Sequence, residues 1–179
     1  MTLDRTRSTL LLVDFQERLM PAIHDGATVV RRAAFLAEVA DLLGVAIVVT
    51  EENPAKLGHT IPALERFARD PIHKRYFDAC RSERLLERLG PERRSVVAAG
   101  CESHVCVLQT VLGLIAAGFS VAVASDAVGS RRADDKTAAL SRMAAQGAEL
   151  VTAEMVAFEW LESCDSPGFR EVIALVKAL

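Results

Sequence analysis

Apolar runs of strand length return along this chain at 8–13, 45–50, 94–99, 119–125 and 148–151, with a short extended piece at 71–77, and segments with apolar residues at helical spacing stand between them. Strands joined through helices lie parallel, because a crossover long enough to hold a helix returns the chain to the same edge and does so right-handed. The expected architecture is therefore α/β, a Rossmann-like three-layer α/β/α fold around a mainly parallel six-stranded sheet. At 179 residues, 51% of them hydrophobic, the chain can bury one good core but hardly two, so residues 1–179 are expected to form a single domain.

The helical segments carry their own punctuation. A helix over 29–43 closes at Gly44, and a short one covers 63–69. Ser82 caps one that runs to Leu89 and stops at Gly90-Pro91, and one over 104–117 stops at Gly118. Asp134 is expected to cap a helix reaching Gln146, and two further helices cover 154–161 and 168–179. The stretch 105–125 has no charge over about the 20 residues that a bilayer span needs, but Gln109 and Thr110 interrupt it and Gly118-Phe119-Ser120 breaks it into a helix and a strand.

The run 96–110 holds the densest chemistry. An apolar strand turns at Gly100 into a helix, with Ser103 as its expected N-cap and Cys106 in its first turn. Unpaired N–H groups and the positive end of the helix dipole favour an anion there, so the position gives Cys106 a reason to ionise, and the same N–H groups can receive the oxyanion formed when a thiolate attacks a carbonyl. Asp14 stands at the carboxyl end of the first strand, and Lys74 lies in a connection between elements. In a doubly wound sheet the first strands of the two halves are neighbours at the switch point, where Asp14 and the Cys106 turn can meet. A carboxylate there takes the thiol proton and delivers it to a leaving group, while a lysine ammonium stabilises thiolate or carboxylate. Read singly, Asp14 serves equally as the N-cap of the next turn, Lys74 as a solvated surface lysine and Cys106 as a small buried hydrophobe.

The order Asp14-Phe15-Gln16, then Lys74-Arg75-Tyr76-Phe77, then Gly100 through Cys106-Val107, followed by Asp126-Ala127, resembles the isochorismatase-like cysteine hydrolases over nearly the whole chain. Glu51-Glu52-Asn53-Pro54, Leu57-Gly58 and the run from Cys101 to Thr110 look most like the branch called isochorismatase domain-containing proteins. The resemblance implies a catalytic triad of Asp14, Lys74 and Cys106. It also implies a cis peptide between Cys101 and Glu102, which aims the Glu102 and Cys106 N–H groups into an oxyanion hole. The function implied is hydrolysis of an amide or similar C–N bond of a small molecule through a Cys106 thioester, with Phe15, Leu57, Tyr76 and Phe77 as candidate pocket walls. Nicotinamidases of the superfamily carry a metal site of Asp and His residues after the second strand. The loop 51–62 here offers a single His59, so neither metal nor any other cofactor is expected.

A net charge of −3 with scattered basic residues leaves no field for nucleic acid or an anionic membrane, so the expected partner is a small molecule. The first residues include Asp4 and no apolar leader, which points to the cytoplasm. Cys80, Cys101 and Cys164 read as reduced packing residues, Asp126 as a brace after its strand, and His24, His73 and His104 as surface groups. Helices over 105–117 and 169–179 with apolar residues on more than one face suggest a homo-oligomer. The resemblance points the same way and implies that a neighbouring subunit completes the pocket wall. The rival readings are a non-catalytic oligomeric scaffold of the same fold and a thiol redox protein bridging Cys101 and Cys106.

Overall fold

Leu10, Leu11, Leu12 and Val13 are all fully buried in a computed structural model that describes residues 2–90, 92 and 94–179. Their alternation assigns Leu10 and Leu12 to one face of a sheet and Leu11 and Val13 to the other, as a strand covered on both sides requires. The order is β1 (Ser8–Val13), α1 (Gly26–Leu43), β2 (Ala46–Glu52), α2 (Pro54–Leu57), α3 (Pro62–Glu65), β3 (Ile72–Lys74), α4 (Glu83–Leu89), β4 (Ser95–Cys101), α5 (Leu108–Ala116), β5 (Ser120–Gly129), α6 (Ala133–Ala145), β6 (Glu149–Val151), α7 (Ala153–Leu161) and α8 (Phe169–Lys177). The six strands stand in the order β3-β2-β1-β4-β5-β6, and every neighbouring pair is parallel. Helices α1, α7 and α8 cover one face and α4, α5 and α6 the other. The strand order reverses between β1 and β4, so the crevice at their carboxyl ends is the place such a sheet offers to a ligand.

That crevice is tight. At Gly100, paired with Val13 across β1 and β4, φ is 150° and an added Cβ would lie 2.3 Å from the Val13 carbonyl oxygen. Only glycine lets the strands approach this closely. It does not end the strand as expected, since β4 runs on to Cys101.

Several boundaries move for local reasons. Strand β5 continues through Asp126 to Gly129 because its register with β4 jumps from Ala98 opposite Val123 to Gly100 opposite Val128, and the residues between bulge out. Asp126 is carried on that bulge and accepts the Ala153 N–H at the start of α7 (2.8 Å), so it braces a helix rather than a loop. Asp134 is not the cap of α6. Arg132 holds that position, and Asp134 sits in the first turn, where a carboxylate still complements the dipole. Helix α1 begins earlier than its apolar spacing implied and closes at Gly44, as expected, with its N–H on the Ala40 and Asp41 carbonyls. Of the expected Gly90-Pro91 stop, Gly90 follows α4, and Pro91 lies outside the described residues, as does Met1 of the expected leaderless start. The large apolar residues of α5 and α8 are buried or half-buried rather than fully exposed. Tyr76, Phe77, Met155 and Phe158 are among the exposed large apolar side chains.

Candidate active site

Strand β3 is short, and its alternation decides the site: Ile72 and Lys74 turn inward while His73 turns out. Lys74 therefore is not a connecting-loop residue. Its side chain is 1% exposed, and Nζ donates to Asp14 Oδ2 at 2.7 Å and to Glu52 Oε2 at 3.0 Å. Burial pulls the Lys74 ammonium down, but the Asp14 carboxylate, the negative thiolate form of Cys106 and the two hydrogen bonds outweigh it, and the net shift is upward. The lysine stays charged. Asp14 is itself fully buried with φ 53°, a left-handed turn out of β1 that Asp tolerates better than most residues. Its other oxygen, Oδ1, accepts the Thr50 hydroxyl at 2.7 Å.

Sequence reasoning missed Glu52 and Gln16. Register pairs Glu52 with Lys74 across β2 and β3, and the Gln16 side chain clamps Glu52 from both sides: the Glu52 N–H donates to Gln16 Oε1 (2.8 Å) and Gln16 Nε2 donates to the Glu52 carbonyl (3.0 Å) and the Gly58 carbonyl (2.7 Å). These contacts join residues far apart in the chain, and no local spacing signals them.

The turn that carries Cys106 comes next along the sheet. The Cys101–Glu102 peptide is cis, as the resemblance implied. After it the chain takes a π-type turn over Ser103–Val107, in which Val105 and Val107, on either side of Cys106, both donate their N–H groups to the Glu102 carbonyl. Such turns are frequent at functional sites. Ser103 is not the N-cap: Glu102 holds that place, and the buried Ser103 hydroxyl has no hydrogen-bond partner among the described residues. The Glu102 carboxylate is held by Arg131 Nε at 2.7 Å.

Cys106 is 6% exposed, and its Sγ and the carboxylate oxygens of Asp14 and Glu52 lie within 4.8 Å of one another. The expectation of a thiol ionised by the helix terminus fails here. Burial first, and the Asp14 carboxylate second, push Cys106 well above the ordinary thiol range, with Lys74 pulling only partly back. A helix terminus contributes about 0.3–1 kcal/mol, less than one pKa unit, and cannot offset both. Burial thus disfavours the thiolate of Cys106, which has a carboxylate beside it.

A match to the family model of the isochorismatase domain spans residues 8–155. The chain belongs to the isochorismatase family. Isochorismatase domain-containing protein 2 of Bos taurus is 36% identical over 170 residues, covering 95% of this chain and 83% of that protein. Among solved structures, the MAR1 ribonuclease of Caenorhabditis elegans superposes with a TM-score of 0.91 at 33% identity, over 99% of this chain and 93% of that one. YcaC of Escherichia coli, an octameric hydrolase of unknown specificity, superposes with a TM-score of 0.88 at 25% identity, over 99% and 88%. The isochorismatase fold is thus a hydrolase-type fold, and the six-stranded sheet seen here is its framework.

Within this isochorismatase fold the remaining candidates separate. Leu57 is half-buried at the end of α2, and Tyr76 and Phe77 are 51% and 52% exposed, with the Arg81 guanidinium 4.1 Å from the Tyr76 ring centre. Phe15 is no pocket wall: it is fully buried in the core on the α1 side. Cys101 packs in that same core while Cys106 packs on the opposite face, and all four cysteines are free. Cys164 is exposed rather than packed. His104 is half-buried, its Nδ1 3.0 Å from the Ser130 hydroxyl.

The loop after β2 is less bare than its single histidine suggested. His73 arrives from β3, and both His59 Nδ1 and His73 Nε2 lie 3.2 Å from Glu51 Oε2, while the other oxygen accepts the Thr60 N–H and hydroxyl at 2.8 Å. Burial pushes Glu51 up, but the Thr60 hydrogen bonds and His59 prevail and hold it below the usual carboxylate range. Asp14, Glu52 and Cys106 also have donor atoms close enough to share a cation, and the Lys74 ammonium already bonds both carboxylates. A cleft of about 400 Å³ lies away from all these groups, at the amino end of β4 and β5 between Leu3, Arg94 and Phe119.

Proposed function

We propose that the chain is a cysteine hydrolase, acting as one domain over residues 1–179, that cleaves an amide or similar C–N bond of a small molecule. The observation that carries this reading is the Lys74–Asp14 pair set beside the Cys106 thiol at the switch point of the sheet. As Cys106 Sγ attacks the carbonyl carbon, Asp14 takes the thiol proton, and the backbone N–H groups of Glu102 and Cys106 receive the oxyanion. The C–N bond breaks as Asp14 passes that proton to the departing nitrogen, which leaves a thioester on Cys106. Water then attacks the thioester, Asp14 takes its proton and returns it to sulfur, and the acid departs. Lys74 stays hydrogen-bonded to Asp14 Oδ2 and balances the charge that forms beside it. The chemistry uses no cofactor.

Leu57, Tyr76 and Phe77 are the proposed pocket walls. The exposure of Tyr76 and Phe77 so close to Lys74, together with the octameric state of YcaC, supports a homo-oligomer whose second copy covers this rim. Four free thiols favour the reducing cytoplasm, and no described helix is long and apolar enough to cross a membrane. A nuclease reading, prompted by the name of the Caenorhabditis elegans relative, finds a net charge of −3 and a nucleophile flanked by two carboxylates, which favours a small uncharged group over a phosphodiester. A screen of small amides with the wild type, Cys106→Ala and Cys101→Ala tests the proposal: loss of turnover in Cys106→Ala alone is expected, and equal residual turnover in both variants would remove Cys106 as nucleophile.

A further inference from the structure

The hydrolysis described above uses one carboxylate for proton transfer, yet two face the thiol. Asp14 has both oxygens occupied, Oδ1 by Thr50 and Oδ2 by Lys74. Glu52 is different. Its Oε2 accepts from Lys74, while Oε1 has no hydrogen-bond or ion-pair partner among the described residues, on a residue only 9% exposed whose backbone Gln16 clamps on both sides. A carboxylate is costly to hold in such a place, and its backbone is fixed by the Gln16 clamp while its side chain is 12% exposed. Nothing in the triad chemistry needs that second oxygen.

Among the described residues, the one cation bonded to this cluster is already engaged. Lys74 bonds both carboxylates, so one ammonium stands against two acids and the site keeps an excess negative charge. Arg131 is engaged by Glu102, Arg81 is stacked on Tyr76, and Arg75, next to Lys74 in the chain, is exposed at the surface. The next residue of β2, Glu51, adds a further acid, faced by His59 and His73. An anionic group close to the scissile carbonyl would meet Glu52 and, among the described residues, no cation hydrogen-bonded to this cluster except the already engaged Lys74, whereas an ammonium or an N–H donor would meet an unused acceptor.

We propose that Glu52 Oε1 is the specificity group of this site, and that the substrates are amides carrying a cationic or N–H-donating nitrogen near the scissile carbonyl, with substrates bearing a carboxylate there excluded. This rests on the reading of Cys106 as the reactive thiol. It goes further by assigning the charge of what approaches that thiol.

Two methanethiosulfonate reagents of similar size and opposite charge, the ethylammonium and the ethylsulfonate, test it on the full chain with the exposed Cys164 changed to Ser. Mass spectrometry follows modification of Cys106, and the ratio of the two rates is normalised to that of a small free thiol, which cancels the shared dependence on thiolate. The ammonium reagent is expected to be favoured tenfold or more. Glu52→Gln should bring the normalised ratio within about threefold of unity, and Glu52→Asp should keep most of the preference. A wild-type ratio near unity or favouring the sulfonate overturns the proposal without reliance on any variant, as does a ratio that Glu52→Gln leaves unchanged. The readout needs no hydrolysis. An enzyme that turns over carboxylate-bearing amides with a ratio near unity would sink this inference alone, and a strong ammonium preference without turnover of any amide would sink the hydrolase reading alone.

Discussion

Cys101 and Cys106 bracket the same turn, and both are almost wholly buried, yet they stand in opposite surroundings. Cys101 faces the core under α1 with apolar neighbours, and burial pushes its thiol up to about 12. Cys106 is pushed up as well, but beside it are a carboxylate that can take its proton and an ammonium that can steady the resulting charge. Reactivity on this turn is therefore not a matter of which sulfur is ionised at rest. On the proposed hydrolase reading it depends on which sulfur has somewhere to send its proton at the moment of attack.

The sharpest way to break that contrast is to remove each sulfur in turn. Cys106→Ala should lower turnover by about a thousandfold or more, as loss of a nucleophile does, while Cys101→Ala keeps turnover within a few-fold. Steady-state rates on one amide substrate decide it. Next in size is the pair that distinguishes the two environments. Lys74→Met leaves Asp14 and Glu52 buried without their cation and should destabilise the fold by about 3–5 kcal/mol in urea titration. Because the folded Lys74 value is raised, its contribution is fully present below the ordinary lysine range near pH 10.4 and is lost as pH climbs through the folded value. The difference between variant and wild type should therefore hold from neutral pH to about pH 10 and shrink above it.

A smaller effect is expected one residue before Glu52. Thr60→Val deletes the hydroxyl bond to Glu51 and should cost about 2 kcal/mol at neutral pH. The folded Glu51 value is lowered, so that bond's share is present above the unfolded carboxylate range near 4.3 and fades as pH falls through the folded value. Thermal unfolding of the two proteins at pH 7 and pH 3 reads the closing gap, and a gap that widens in acid would contradict the assignment. The least of these effects concerns the resting thiol itself. Alkylation of Cys106 by iodoacetamide should rise about tenfold per pH unit through pH 9. A plateau near neutrality would mean that the thiolate is already formed and that Asp14 is not needed as base.

What could be read beforehand was whatever short stretches announce for themselves. The apolar runs marked the strands, Gly44 closed α1, and a doubly wound topology already placed Asp14 near the Cys106 turn, where the donor atoms of the two residues lie within 4.8 Å of each other. What escaped depends on partners distant in the chain. Glu52 gains its place only through the β2–β3 register, His73 reaches Glu51 by the same pairing, and the β5 bulge arises from a mismatch with β4 that neither strand encodes alone. The protonation of Cys106 escaped for a related reason. A helix terminus is visible in sequence, whereas the burial that outweighs it is a property of the closed crevice.

The Gln16 clamp has a consequence for motion. Its side-chain amide bonds both peptide groups flanking Glu52 and the carbonyl of Gly58, so the end of β2 and the loop after it share one hub. Displacing any one of them means breaking bonds to the others together. Substrates then meet a cleft whose polar groups stand ready before binding, and selection falls to complementarity with a fixed frame instead of to a loop that reshapes itself around each guest.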